Sequence, residues 1–247
     1  MSEIPPAIMD ETAPIIGDRL RRGLQGMTVP EWAMHRAVTL WFLLLAANLA
    51  LGLLNSASRL DLAAPGTLTP ADIADMLSRL FTLGFFVIAA WLTLVRSPPV
   101  AKAPGLWPRL TALLSVTLLF ALPFLPRLDP APTSLLFLSA GLAFLGNGLA
   151  LLVLSRLGRS FSVMSEARQL VTAGPYRLVR HPLYLTEEIA IIGIFLPYWS
   201  WQAALLFLTH LAVQLLRLNN EERVLRATFA DYADYARRTA RLIPGLW

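Results

Sequence analysis

The most regular feature of the sequence is a series of apolar runs, separated by short segments that contain prolines and arginines. A helix needs about 20 apolar residues to cross the roughly 30 Å hydrocarbon layer of a bilayer. Most of the runs approach or exceed this length, and one near the end is shorter. We therefore expect membrane-spanning helices at about 32–54, 73–95, 106–125, 134–154, 184–196 and 202–218.

The last two runs predict an antiparallel helix hairpin, because only a short turn rich in aromatic residues separates them. Beyond residue 219, apolar and aromatic side chains recur at helical spacing, which predicts an amphipathic cytoplasmic helix to about residue 241. The expected fold is an all-α integral membrane protein with about six transmembrane helices. It would comprise a cytoplasmic tail at 1–30, a four-span scaffold at 31–155 and a functional region at 156–247.

The composition supports a membrane protein and narrows its partners. Charged residues make up 15% of the chain, against about 25% in an ordinary soluble domain. The positive residues lie at the ends of the apolar runs and form no continuous stripe, so we expect membrane lipids and no nucleic acid as partners. Their concentration in alternate loops predicts both termini in the cytoplasm. The single lysine suggests a bacterial chain in the inner membrane, and the absence of cysteine excludes thiolate chemistry.

Polar residues in the first four runs are few. The run Gly146-Asn147-Gly148 lies in the middle of the fourth predicted span. Small residues let helices approach closely, and a buried amide can bond across them. We expect these residues to serve helix packing.

The segment 170–184 concentrates arginine, histidine and tyrosine around a Gly-Pro turn. Pro182 suits the first turn of a helix, whose unpaired N–H groups near 181–184 would attract a carboxylate or phosphate. Glu187 and Glu188 follow within the same predicted span. A basic loop touching lipid headgroups would explain the arginines. It would not explain these carboxylates, because ionisable residues in a membrane are usually functional or paired.

The last predicted span carries a second polar group. Four of its side chains share one helix face: His210, Gln214, Arg217 and Glu221. One interpretation is hydrogen bonding across the hairpin to Glu187 or Glu188. The other is a polar cavity, open to the cytoplasm, between the hairpin and the 156–183 segment.

Several motifs in the last third resemble the isoprenylcysteine carboxyl methyltransferase family. They are Gly174-Pro175-Tyr176, Arg180-His181-Pro182-x-Tyr184, Arg217-x-x-x-Glu221-Glu222 and Phe229-x-x-Tyr232-x-x-Tyr235. The resemblance covers about residues 155–243. That family and the related phospholipid N-methyltransferases are integral membrane enzymes that use S-adenosylmethionine, so the resemblance implies this cofactor and a catalytic region at 156–247.

The resemblance also implies roles for individual residues. Cofactor contacts are implied at Arg168, Gln169, Leu170, Val171, Tyr176, His181, Pro182, Leu183, Tyr184 and Glu221. Arg217 is implied to bind the substrate. A carboxylate acceptor needs alignment and a counter-charge but no general base. An amine or thiol acceptor would need a base, for which Glu187, Glu188 or His181 are candidates. We expect no metal site.

The sequence thus favours a membrane-embedded methyltransferase acting on a lipophilic or amphiphilic acceptor, with a carboxylate as the expected methyl acceptor. Three alternatives stay open at this point. The first is methylation of a phospholipid or of a small amine or thiol. The second is a reductase of the sterol type that uses NADPH, and the third is a transporter or membrane scaffold without catalysis.

Overall fold

The computed structural model describes residues 31–58 and 70–245. The helices are α1 (Glu31–Ser58), α2 (Pro70–Val95), α3 (Trp107–Thr117), α4 (Thr133–Leu157), α5 (Pro182–Phe195), α6 (Trp201–Thr228) and α7 (Tyr232–Arg238). Short 3₁₀ helices lie at Leu118–Phe124, Gly158–Ser160 and Gly174–Arg177. The expected tail at 1–30 lies outside the described residues.

Within the described residues, five helical stretches are long and apolar enough to cross a membrane: Arg36–Ser58, Asp75–Val95, Trp107–Phe124, Thr133–Ser160 and Trp201–Thr228. This confirms the all-α integral membrane class. The remaining expected span, at 184–196, corresponds to α5, which contains 14 residues. At 1.5 Å per residue it extends about 21 Å, which is too short to cross the hydrocarbon layer alone.

The end of the chain differs from the expectation. Helix α6 does not stop at residue 218 but continues without a break to Thr228, so the residues expected to form one helix from 219 to about 241 are divided between the end of α6 and α7. Residues 219–228 contain neither glycine nor proline, and nothing in them interrupts a helix at the membrane surface. The chain leaves the helix at Phe229, which is extended, and a short α7 follows.

Helices α4 and α5 are in backbone contact. A Cβ atom added to Gly146 would lie 2.7 Å from the carbonyl oxygen of Thr186, closer than real side chains approach. The amide of Asn147 donates to Thr82 Oγ1 on α2 at 2.9 Å. Both contacts are the helix packing expected of this segment.

Helices α1 to α6 fall into two packed groups. Helix α1 packs on α2, α2 on α4 and α4 on α5, whereas α6 packs mainly on α3. The main apolar core belongs to the first group, where Phe42, Phe85 and Leu154 are buried. The two groups therefore face each other across the hairpin α5–α6, which long polar side chains bridge.

A two-stranded antiparallel ladder joins the two halves of the chain. Strand β1 (Ala101–Lys102) pairs with β2 (Glu166–Ala167), and the pairing extends through the bond from the N–H of Ala103 to the oxygen of Ser165 at 2.9 Å. Two-residue strands show no periodicity in sequence, which is why the ladder was not expected. It fixes the α2–α3 connection against the segment that follows α4.

The last described residues return to the start of α5. The N–H of Arg180 donates to the oxygen of Ala240 at 2.8 Å, and that of His181 to the oxygen of Arg241 at 3.2 Å. Val179 and Ala240 form a parallel bridge. This return places α7 beside the N-terminus of α5 and the second half of α6.

Candidate active site

A cleft lies where the first turn of α5, the second half of α6, α7 and the 157–171 segment meet. It encloses about 700 Å³ of empty space, its open mouth included. Among the residues expected to contact a cofactor or substrate, those lining it are Arg168, Gln169, Leu170, Val171, Tyr176, His181, Leu183, Tyr184, Arg217 and Glu221. Pro182, Glu187 and Glu188 do not line it.

Tyr184, Arg217 and Glu221 form one connected cluster in this cleft. The Tyr184 hydroxyl donates to Glu221 Oε2 at 2.7 Å. The guanidinium carbon of Arg217 lies 4.8 Å from the centroid of the Tyr184 ring, over its face. The cluster follows from the sequence locally, because Arg217 and Glu221 are one turn apart on α6 and Tyr184 is in the first turn of α5.

Arg217 is held by a backbone carbonyl of the segment after α4, by a side chain of α3 and by a side chain of its own helix. It is 5% exposed. Its Nε donates to the carbonyl oxygen of Val163 at 3.2 Å, and Nη1 lies 3.5 Å from both Ser115 Oγ and Gln214 Oε1. Among the described residues Nη2 has no hydrogen-bond partner, so this nitrogen is available to a ligand in the cleft.

Glu187 and Glu188 lie inside the hairpin. Glu188 Oε1 is 3.0 Å from His210 Nε2, and Gln214 Nε2 donates to Glu187 Oε2 at 3.3 Å. These are the hydrogen bonds across the hairpin that the polar stripe of α6 allowed. The stripe therefore divides, with His210 and Gln214 closing the hairpin and Arg217 and Glu221 lining the cleft. Gln214 bonds both Glu187 and Arg217 and so connects the two parts.

The N-terminus of α5 is only partly available to a ligand. The expectation of a free N–H at His181 is wrong, because that group donates to the oxygen of Arg241. The His181 ring also has a partner, since its Nε2 is 3.2 Å from Glu222 Oε1. Glu222 in addition accepts from Arg180 Nε at 2.8 Å. The N–H groups of Leu183 and Tyr184 belong to the first helical turn, where an α-helix offers no acceptor.

Three tyrosines form the wall on the α7 side: Tyr176, Tyr232 and Tyr235. The Tyr235 hydroxyl donates to the carbonyl oxygen of Tyr176 at 2.7 Å. Burial raises the pKa of Tyr235 to about 12 and also raises the pKa of Tyr176. Both phenols therefore stay neutral near pH 7. Tyr232 is 1% exposed, and its buried hydroxyl has no partner in the described part of the chain.

Sequence reasoning missed part of the lining. Leu157, Ser160, Ser162, Met164, Glu166 and Leu225 also line the cleft. Most of them belong to the irregular segment after α4, which has no periodicity and no motif. Tyr232 and Tyr235 were in a motif, but no contact was assigned to them. Only their spacing on the segment after α6 could have placed them together.

The described residues of the cleft offer organic groups and no cluster of metal ligands. Within residues 31–58 and 70–245, no group of three or more His, Cys, Asp or Glu side chains could hold a metal ion. The polar side chains that line the cleft are three arginines, two glutamates and four tyrosines, together with a histidine, a glutamine and two serines, and they lie among apolar side chains. This set suits an organic ligand that carries both charged and apolar parts.

Comparisons with known proteins relate the part of the chain that forms the cleft to a family of enzymes. Residues 135–232 match the model of the phospholipid methyltransferase family. This match covers α4, the 157–181 segment, the hairpin and the start of α7. It includes the Tyr184, Arg217 and Glu221 cluster, whereas α1, α2 and α3 lie outside it.

Two curated bacterial proteins are similar to the chain. The cobalt-zinc-cadmium resistance protein CzcN of Cupriavidus metallidurans is 31% identical over 144 residues, which cover 58% of this chain and 63% of that protein. The nickel-cobalt-cadmium resistance protein NccN of Alcaligenes xylosoxydans xylosoxydans is 32% identical over 113 residues, 44% of this chain and 53% of that protein. The chain thus spans less than two thirds of the length of either relative. Together with the membrane-length helices, the family match supports a membrane methyltransferase of the broad phospholipid methyltransferase type.

Proposed function

We propose that the chain transfers the methyl group of S-adenosylmethionine to a lipophilic or amphiphilic acceptor, and that the methyl acceptor is a carboxylate bound by Arg217. The observation that carries the proposal is the cluster of Tyr184, Arg217 and Glu221 in a cleft at one end of the helix bundle. The family match favours methyl transfer over the reductase and the transporter or scaffold alternatives.

The residues of the cleft fit this cofactor. Glu221 supplies a carboxylate for an ammonium group or for ribose hydroxyls, and the hydroxyl of Tyr232 is a buried polar group without a partner in the described residues. The rings of Tyr176 and Tyr184 offer aromatic faces to a positively charged sulfur. Leu170, Val171 and Leu183 give the apolar surface that an adenine ring requires.

When bound, S-adenosylmethionine supplies a methyl group on a cationic sulfur, and transfer to a carboxylate oxygen leaves a neutral thioether and a neutral ester. The protein's task is then alignment. Arg217 Nη2 donates to one acceptor oxygen, while the contacts to Val163 and Ser115 keep the guanidinium fixed. Because a carboxylate carries no proton at neutral pH, no residue has to remove one.

An amine acceptor, as in a phospholipid headgroup, is the second candidate. The family match favours it. An ammonium group must lose a proton before it can accept a methyl group. Glu187 is the predicted base. It does not line the cleft, and Gln214 links it to Arg217, so the proton would have to reach it through a water. In this case Arg217 would bind the phosphate of the same headgroup.

The distribution of arginine supports a cytoplasmic position for the cleft. The segment after α4 and the residues from Arg217 onward, which build the cleft, are the most arginine-rich parts of the chain. By the positive-inside tendency, we place this end of the bundle and both termini in the cytoplasm of a bacterial inner membrane. Cofactor would then enter from the cytoplasm and the acceptor from the bilayer.

Calorimetric titration of the purified protein in a neutral detergent tests the proposal. S-adenosylmethionine should bind with one site per chain, and NADPH should not bind. Replacement of Arg217 by lysine should leave this affinity unchanged, because Arg217 is assigned to the acceptor. A folded protein, judged by helical circular dichroism and a cooperative melt, that binds no S-adenosylmethionine would contradict the proposal.

A further inference from the structure

Two arginines beside the cleft, Arg168 buried and Arg96 half-buried, lie near a single carboxylate. Arg168 Nη2 pairs with Glu166 Oε2, and its Nη1 donates to the carbonyl oxygen of Ser97. Arg96, in the connection just after α2, lies with its Nη1 3.5 Å from Ser162 Oγ, which itself donates to the same Glu166 oxygen at 2.9 Å. Two guanidinium charges therefore face one carboxylate charge.

Several nitrogens of these two groups are buried without a partner. They are Arg96 Nε, Arg96 Nη2 and Arg168 Nε, for none of which the described residues provide an acceptor. The Arg168 side chain is 1% exposed. A buried charged donor that lacks an acceptor is strongly unfavourable, and such atoms usually mark the place of a water, an ion or a ligand.

The cluster opens onto the cleft. Ser162, Glu166 and Arg168 all line it, and Arg96 stands directly behind Ser162. Burial, followed by the charge of Arg168, lowers the pKa of Arg96. A guanidinium nevertheless stays charged under physiological conditions. The site thus holds one positive charge in excess, with unused donors on two side chains.

We propose that Arg96 and Arg168 together bind an anionic group, a carboxylate or a phosphate, of a ligand held in the cleft. Arg96 comes from the four-span scaffold, outside the region to which the motifs and the family match point. A pair of guanidinium groups suits an anion that offers two oxygens. The anion can come from the carboxylate of S-adenosylmethionine, in which case the inference rests on the proposed function, or from a phospholipid phosphate, in which case it does not.

The variants are Arg96→Gln, Arg96→Lys and, as a control, Arg159→Gln. Arg159 is exposed and close by, since its Nε donates to the carbonyl oxygen of Val95 at 2.9 Å, and it does not line the cleft. Because Arg96→Gln removes a half-buried cation whose Nε and Nη2 are buried without a partner among the described residues, the ligand-free variant should melt at the same temperature as the wild type or higher. Arg96→Lys keeps the charge and loses the two-nitrogen geometry, so it should fall between wild type and Arg96→Gln in affinity.

Each variant is titrated with S-adenosylmethionine, decarboxylated S-adenosylmethionine and a short-chain phosphatidic acid in neutral detergent. If the cofactor supplies the anion, Arg96→Gln should weaken S-adenosylmethionine about tenfold or more and leave the decarboxylated form unchanged. If a lipid supplies it, Arg96→Gln should weaken phosphatidic acid by a similar factor and spare S-adenosylmethionine.

The inference is overturned if Arg96→Gln leaves all three affinities unchanged, or if Arg159→Gln lowers them equally, since that would reflect surface charge alone. It is also overturned if Arg96→Gln melts well below wild type with no change in any affinity, because Arg96 would then serve folding. A wild-type protein that binds phosphatidic acid through Arg96 but never binds S-adenosylmethionine would support this site and contradict the proposed function.

Discussion

Replacing Glu221 by glutamine should separate the charge of this residue from its geometry. Its carboxylate accepts from the Tyr184 hydroxyl at 2.7 Å, and a glutamine oxygen can accept the same bond. The variant therefore keeps the position of Tyr184, and with it the ring over which Arg217 lies. What is lost is one negative charge at the wall of the cleft.

The expected loss of cofactor affinity depends on how strongly solvent screens the charge of Glu221. Two unit charges 4 Å apart interact by about 4 kcal/mol at the effective dielectric typical of a protein surface. Glu221 is half-buried and faces an open cleft, so solvent reduces this value. A charged hydrogen bond of about 1.5–3 kcal/mol is the better guide, and it corresponds to roughly a tenfold to hundredfold weaker cofactor affinity.

Isothermal titration of S-adenosylmethionine into wild type and Glu221→Gln measures this difference. A suitable control is Asp234→Asn, which removes an equally charged but exposed carboxylate from α7, where its partner in the described part of the chain is Arg237. The control should bind like wild type. An unchanged affinity in Glu221→Gln, with both variants folded, would refute the assignment of Glu221 to the cofactor.

Three further predictions concern the acceptor, the helix packing and the pH range. Arg217→Lys should lower turnover on a carboxylate acceptor by about a hundredfold with cofactor affinity unchanged, because lysine cannot keep both the anchoring bonds and a free donor. Steady-state kinetics measures this effect. Unaltered turnover would exclude a carboxylate held by Arg217. Gly146→Ala should destabilise the protein by about 1–3 kcal/mol, since its Cβ would meet the backbone of α5. Gly141→Ala should not destabilise the protein, because no atom lies within 4 Å of the Cβ that it adds. Thermal melts in detergent compare the two variants. Burial raises the pKa of Tyr235 to about 12. The contribution of Tyr235 to stability should therefore be complete below the ordinary tyrosine pKa of about 10 and lost as pH rises through about 12. If the melting temperatures of wild type and Tyr235→Phe fall equally over this range, the prediction is contradicted.

The parts of the fold that sequence reasoning captured depend on local periodicity. Apolar runs of sufficient length located the membrane helices, since a bilayer imposes a fixed thickness on them. The helical repeat placed Arg217 and Glu221 on one face, and the structure brings both to the cleft. The short run before the hairpin turn likewise gave the short helix α5.

The parts that were missed depend on contacts between residues far apart in the chain. Nothing local indicates that Ser115 on α3 lies against Arg217, or that Arg96 lies behind Ser162. The start of α5 shows the same limit. The general rule for helix N-termini predicts a free N–H at His181, but the C-terminal segment returns to this point and the carbonyl oxygen of Arg241 accepts that hydrogen bond.

The polar stripe of α6 had two interpretations, hydrogen bonds across the hairpin and a polar cavity, and each applies to part of it. Spacing along α6 could not distinguish hairpin contacts from a cavity, because every residue of the stripe points to the same side. The distances make the division, with His210 against Glu188 and Gln214 against Glu187. The untested catalytic roles of Glu187 and Glu188 stay predictions for an amine or thiol acceptor.

The most direct test of methyl transfer is incubation of the purified protein with bacterial membrane lipids and S-adenosylmethionine that carries an isotopically labelled methyl group. Mass spectrometry of the lipid extract should show labelled products that are absent without the protein and strongly reduced with Arg217→Lys. An ester product would support the carboxylate acceptor, and a methylated amine the second candidate. A folded wild-type protein that yields no labelled product from extracts rich in both classes of lipid would contradict the account.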